Sequence, residues 1–160
     1  MILYTGFKGR HNSSCRLMDL FEGEKLLLTN SFAGLKIDIE SITAVYNAVF
    51  MFGLDKNLSD SVRIEKYAEK DGARLAGLSC EKAARKAFEA EGIKCTVSEN
   101  TSQYLCNEAY FFMLEKTGGK ALFFHIPPIR YMTDSMAQSV VRAVNSTAIG
   151  VIDCDTQGGR

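Results

Sequence analysis

The sequence predicts an α/β domain in which helices flank a mostly parallel central sheet on both sides, giving three layers. Apolar runs of strand length alternate with segments of helical period along the whole chain. One of those runs, "AVFMFG" (48–53), carries no polar residue, as befits a strand covered on both faces. The length of 160 residues, 46% hydrophobic and 24% charged, fits one globular domain with a sizeable core.

Taken in order, "MILYT" opens as the first strand and turns at Gly6 and Gly9. Asn12, Ser13 and Ser14 supply caps for a helix over "CRLMDLF". "KLLLT" is the second strand, "IESITAVYN" a short helix and "AVFMFG" the third strand. In "DSVRIEKYAEKDG" the alternation of Val62, Ile64 and Lys66 predicts a strand off the main layer. "SCEKAARKAFEAEG" is the clearest helix, capped by Ser79, apolar at Ala83, Ala87 and Phe88, and ended by Gly92. "IKCTV" is the fourth strand, 107–116 a helix, "KALFFHI" the fifth strand and "DSMAQSVVRAVN" the last helix. The domain is expected to span 1–146. The remainder, 147–160, is a C-terminal extension, expected as an edge strand at "AIGVID" and then a disordered end.

Charge and cysteine usage narrow the function classes. Lys+Arg and Asp+Glu balance at 19 each, so no basic footprint for nucleic acid or an anionic membrane is present. The apolar runs are too short to span a bilayer, and the N-terminus lacks the basic region of a signal peptide. Five cysteines without paired spacing read as free thiols in a reducing cytoplasm. With no C-x-x-C and only two histidines, neither a metal nor another cofactor is expected.

Ligands of such folds bind beyond the carboxyl ends of the strands. That rim holds the loops 6–12, 53–60, 98–105 and 125–132, with Cys106 and His125 both on it. A thiol near a helix N-terminus faces unpaired N–H groups, which favour the thiolate, and an imidazole beside it completes a nucleophilic pair. Position alone does not single out Cys106, because Cys15 and Cys80 also fall in first turns of expected helices. His125 at a strand end is as readily a core histidine. Cys95 and Cys154 read as packing residues. His11 beside Ser13 and Ser14 makes a weaker serine alternative without a nucleophile elbow, and "TGFKG" lacks the pattern of a phosphate loop.

"VSENTSQYLCN" followed by "ALFFHIPPI" resembles the two signature segments of the pyroglutamyl peptidase I (pyrrolidone-carboxylate peptidase) family. "TGF" with Asn12 and Ser13 beyond it looks like that family's opening loop, and "FMFGLDKN" sits where its glycine-rich loop follows the third strand. The resemblance implies a phosphorylase/hydrolase-like α/β fold, a shortened and divergent member, and a cysteine exopeptidase (omega-peptidase) that removes N-terminal pyroglutamate. It gives Cys106 the nucleophile's role and His125 that of acid and base. Phe7, Asn12, Leu54 and Tyr104 match the positions that hold the lactam ring, with Leu105 as neighbouring wall. The strand "SVRI" matches the one carrying the family's orienting glutamate, and the alignment puts Val62 at that position. Glu65, three residues along a strand, falls on the opposite face from Val62, whereas Asp60, two back, shares it. Asp60 is therefore the expected substitute, and weak activity is expected. The implied partner is a small peptide or amide substrate, with self-association into a homo-oligomer also expected. Two other functions stay open: a cysteine amidohydrolase acting on another small amide or lactam, and a non-catalytic relative that binds a ligand or partner.

Overall fold

The computed structural model describes residues 1–102 and 104–157, with 153–157 as backbone alone. Six strands form the central sheet in the order β2 (Glu24–Leu28), β1 (Ile2–Phe7), β3 (Ala48–Leu54), β8 (Ala121–Ile126), β4 (Ser61–Glu65), β7 (Lys94–Ser98). All neighbouring pairs are parallel except β4 with β8, which run antiparallel. A hairpin of β5 (Tyr67–Lys70) and β6 (Ala73–Ala76) stands apart as a second, two-stranded sheet.

Helices cover both faces. On one side α1 (Ser13–Met18), α3 (Glu81–Ala90) and α5 (Asp134–Gln157) bury Leu17, Phe88 and Val140 with Phe50, Phe52 and Phe124 of the sheet. On the other, α2 (Phe32–Glu40) and α4 (Leu105–Thr117) bury Leu35, Ile39 and Tyr110 with Val49, Met51 and Phe123. Residues of β3 and β8 therefore alternate between two apolar cores, which is why both segments are apolar without a break. The sequence prediction of a three-layer, mostly parallel α/β domain holds.

Three elements differ from the sequence expectation. The second helix begins upstream of "IESITAVYN" and shares only Ile39 and Glu40 with it: Ser31 caps it by accepting from the Gly34 N–H, and Leu35 and Ile39 form its buried face. Past Glu40 the β-branched Ile42, Thr43 and Val45 disfavour continuation, and Val45 lies exposed in the loop. The strand at 61–65 is not off the layer but inside it, between β8 and β7, and only the β5–β6 hairpin leaves the sheet. Finally, "AIGVID" is not an edge strand. It continues α5, where Ala148 is buried and the Thr147 hydroxyl donates back to the Ala143 carbonyl. The disordered end expected after "AIGVID" is corrected in part: the backbone of 154–157 continues α5, and 158–160 lie outside the described residues.

Candidate active site

Helix α4 begins on the carboxyl rim, and Cys106 is its second residue. Its N-cap, Tyr104, holds φ 74° and ψ −152°, a conformation that glycine tolerates and other residues adopt under strain. Beneath the helix start lies Gly53. A Cβ there would come 2.9 Å from Cys106 Sγ and 2.6 Å from Phe123 Cζ. The missing side chain thus lets the thiol settle against β3, which explains a glycine near the end of an otherwise bulky strand.

Sheet register does the rest. Gly53 pairs with His125, and His125 pairs with Arg63 across the antiparallel β4–β8 ladder. Residues directly opposite share a face, so Gly53, His125 and Arg63 form one row under α4. One row back on that face, Phe123 opposes Glu65. The Phe123 and His125 rings lie 5.0 Å apart, and Glu65 Oε1 reaches 3.3 Å from His125 Nε2. Both groups are deeply buried, His125 at 4% and Glu65 at 2% exposure. That approach lacks hydrogen-bond geometry: neither imidazole nitrogen nor Glu65 Oε2 has a hydrogen-bond partner among the described residues. A thiol, an imidazole and a carboxyl group are therefore gathered on one sheet face, with Glu65 and His125 close but not hydrogen-bonded.

Burial dominates the electrostatics. The Cys106 thiol is pushed up to about 12 by desolvation, helped by Glu65 and Asp55 and opposed by Arg63. Desolvation brings His125 down to about 4, with Arg63 adding to the effect and Asp55 opposing it. Glu65 is raised, again by burial, against the lowering influence of Arg63. At neutral pH thiol and imidazole are both uncharged, so the free site is not a preformed thiolate–imidazolium pair.

Asp60 does not take the acid's place. Its side chain is 66% exposed and bridges Lys94 Nζ at 3.0 Å. Strand parity supplies the reason: Val62 and Ile64 face the α1–α3–α5 core, away from His125, and sharing Val62's parity is what disqualifies Asp60. The acid at the imidazole is Glu65. Sequence reasoning set it aside because it lies on the opposite face from Val62, which is the face of His125. The antiparallel insertion of β4 was the missing fact. A charged pair alternating with buried Val62 and Ile64 is the available signal, since Arg63 and Glu65 in a fully covered strand need partners.

The expected lactam-binding residues are only partly gathered. Phe7 is buried in the same apolar cluster that Leu105 and Cys106 flank. Asn12 caps α1 through Oδ1, which accepts from Ser14 N at 3.0 Å and Ser14 Oγ at 2.8 Å, while Ser14 Oγ accepts from Phe7 N. Leu54 ends β3 and pairs with Ile126, so its backbone is on the rim. Tyr104 departs from expectation. Its ring is 82% exposed rather than a pocket wall, because the N-cap backbone turns it outward.

Cys15, Cys80, Cys95 and Cys106 are free thiols; burial pushes Cys80 and Cys95 up to about 12. The packing role read for Cys154 lies outside the described side chains. A cleft of about 640 Å³ opens elsewhere, between the start of α3 and α5, lined by Cys80, Ala83, Thr147 and Val151 among others. Its lining holds Cys80, Glu81 and Lys82 but no histidine, whereas the start of α4 brings Cys106 over the row that carries His125. Among the described residues no His, Cys, Asp or Glu cluster could hold a metal, and no helix is long and apolar enough to cross a membrane.

The α/β domain thus brings a cysteine, a histidine and a glutamate together on one face of its sheet, near the carboxyl ends of β3 and β8. Solved structures narrow the fold to that of the pyrrolidone carboxyl peptidases. The enzyme from Thermus thermophilus superposes with a TM-score of 0.78 at 22% identity, covering 92% of this chain and 98% of its own. That from Thermococcus litoralis gives 0.77 at 18%, covering 96% and 95%. Pyroglutamyl peptidase I of Bacillus amyloliquefaciens gives 0.72 at 16%, covering 92% and 94%. No family model matches the chain, and no curated protein matches it in sequence.

Proposed function

We propose that the protein is a cysteine peptidase that removes pyroglutamate from peptide N-termini. The observation that carries this reading is the gathering of Cys106, His125 and Glu65 on one sheet face, in the fold of the pyrrolidone carboxyl peptidases. Attack by Cys106 Sγ on the amide carbonyl forms the C–S bond as the thiol proton passes to His125. The imidazolium then protonates the leaving amine as the C–N bond breaks. Water, deprotonated by His125, hydrolyses the thioester and returns the thiol. The Cys106 backbone N–H, in the first turn of α4, faces the oxyanion. Glu65, whose Oε1 lies 3.3 Å from His125 Nε2, stabilises the imidazolium.

The thiol must stay reduced for this chemistry, which supports a reducing compartment such as the cytoplasm. The outward Tyr104 supports a second reading, a cysteine amidohydrolase with a substrate other than a pyroglutamyl peptide, since one expected ring wall is absent. Chromophore release from a pyroglutamyl amide, set against unblocked aminoacyl amides and other lactam amides, tests both. Preference for the pyroglutamyl amide, abolished by Cys106→Ser, is the expected result. Turnover of another lactam alone would favour the second reading.

A further inference from the structure

Arg63 stands opposite His125 on the β4–β8 ladder, and its guanidinium is divided between two acids. Nε donates to Glu65 Oε1 at 2.9 Å, and Nη1 lies 2.8 Å from Asp55 Oδ2. Asp55 is itself fixed just past β3: its N–H donates to the Ile126 carbonyl, and its Oδ1 accepts from Asn57 N. Glu65 is 2% exposed, and its Oε2 has no hydrogen-bond partner among the described residues. A carboxylate in that position takes up a proton unless a cation stands beside it. His125, uncharged in the free site, is not that cation.

We propose that Arg63 is a positioning residue of this site: anchored on Asp55, its guanidinium holds the Glu65 carboxylate charged and turned toward His125. The proposal rests on the reading of Cys106, His125 and Glu65 as a working unit. The groups facing Glu65 are Arg63 on its own strand, Asp55 from the loop after β3, His125 from β8, and Cys106 and Tyr110 from α4. Burial raises the proton affinity of Glu65, Arg63 lowers it and Asp55 raises it, so removing the two partners pushes in opposite directions.

The test is the titration of the Glu65 carboxyl carbon by NMR in the full chain, in Arg63→Gln, Arg63→Lys and Asp55→Asn, beside the pH profile of kcat/KM. Arg63→Gln is expected to move the Glu65 titration up by about one pH unit or more, since one unit equals ~1.4 kcal/mol of differential interaction. The acid limb of kcat/KM should follow it, and kcat should fall about tenfold with KM little changed. Arg63→Lys should recover part of the shift, and Asp55→Asn should move the titration down. An unmoved Glu65 in folded variants overturns the proposal. Should Arg63→Gln not fold, Arg63→Lys decides alone: an upward shift of the Glu65 titration supports the proposal and none rejects it. A protein inert on every amide would reject the peptidase reading, while the Glu65 titrations would still decide the role of Arg63.

Discussion

At the scale of single residues, the choice between two acids is open to a direct contrast. Glu65→Gln keeps the shape and removes the charge beside His125, so kcat/KM on a pyroglutamyl amide should fall by on the order of 10²–10⁴. Asp60→Asn removes only an exposed pairing with Lys94 and should leave the rate within about twofold. Equal losses in both variants would refute the assignment of Glu65. The protonation state of Cys106 gives a second contrast. With the thiol raised to about 12 and His125 brought down to about 4, Cys106 starts as a neutral thiol. Its alkylation by iodoacetamide, followed by peptide mass, should rise continuously with pH through the neutral and alkaline range. A plateau between pH 5 and 8 would instead reveal a standing ion pair and contradict this electrostatic picture. This changes the expectation from helix position alone, because burial and two nearby carboxylates outweigh the favourable helix start. That Cys106 and His125 meet on one rim was legible in the sequence through their flanking segments. The approach of Glu65 to His125 was not, because it follows from strand parity and from a neighbour, β8, that no local pattern announces.

At the scale of elements, the seam between β3 and α4 is where packing and function meet. Gly53→Ala puts a methyl against Phe123 and the thiol, so one of them must shift. A loss of about 1–3 kcal/mol in stability is expected from overpacking, with displacement of the nucleophile. Denaturation midpoint and turnover should fall together; an unaffected rate would show that the thiol need not lie over Gly53. The helix start itself is tied down from outside. Asn107 grips the β5 backbone through both its amide groups, accepting from Glu69 N at 3.0 Å and donating to Glu69 O at 2.7 Å. Tyr104, immediately before α4, holds a backbone conformation suited to glycine, so Tyr104→Gly should relieve strain and raise stability by about 1 kcal/mol. Thermal unfolding reads the outcome, and a loss would mean that the exposed ring contributes more than the backbone costs. Most strands were legible because apolar runs closed by glycine or polar turns leave little choice. The second helix was misread because β-branched residues following Glu40 were counted as helical, although Ser31 signalled the true start. The tail was misread for a related reason: "AIGVID" has strand composition, yet Ala148 and Thr147 extend the packed face of α5.

At the scale of the whole molecule, gathering buried ionisable groups under α4 makes stability depend on pH. His125 has a folded value of about 4, below the ordinary 6.5, so the unfolded chain binds more protons between those limits. Stability therefore declines as pH falls from about 6.5 to about 4 and levels off below that. Glu65 acts with the opposite sign. Its folded value is raised above 4.5, so its contribution is greatest in acid and is lost as pH rises through the folded value. The two effects oppose each other wherever their windows overlap. His125 has the better-bounded window, and the expected net decline is on the order of 2 kcal/mol, below the full linkage for one histidine shifted by that much. Replacing His125 with Gln should flatten the profile in that range, while Glu65→Gln should steepen it. Unfolding free energies from denaturant titrations at half-unit pH intervals would separate the three curves. Parallel curves for all three proteins would place the acid sensitivity outside this buried cluster.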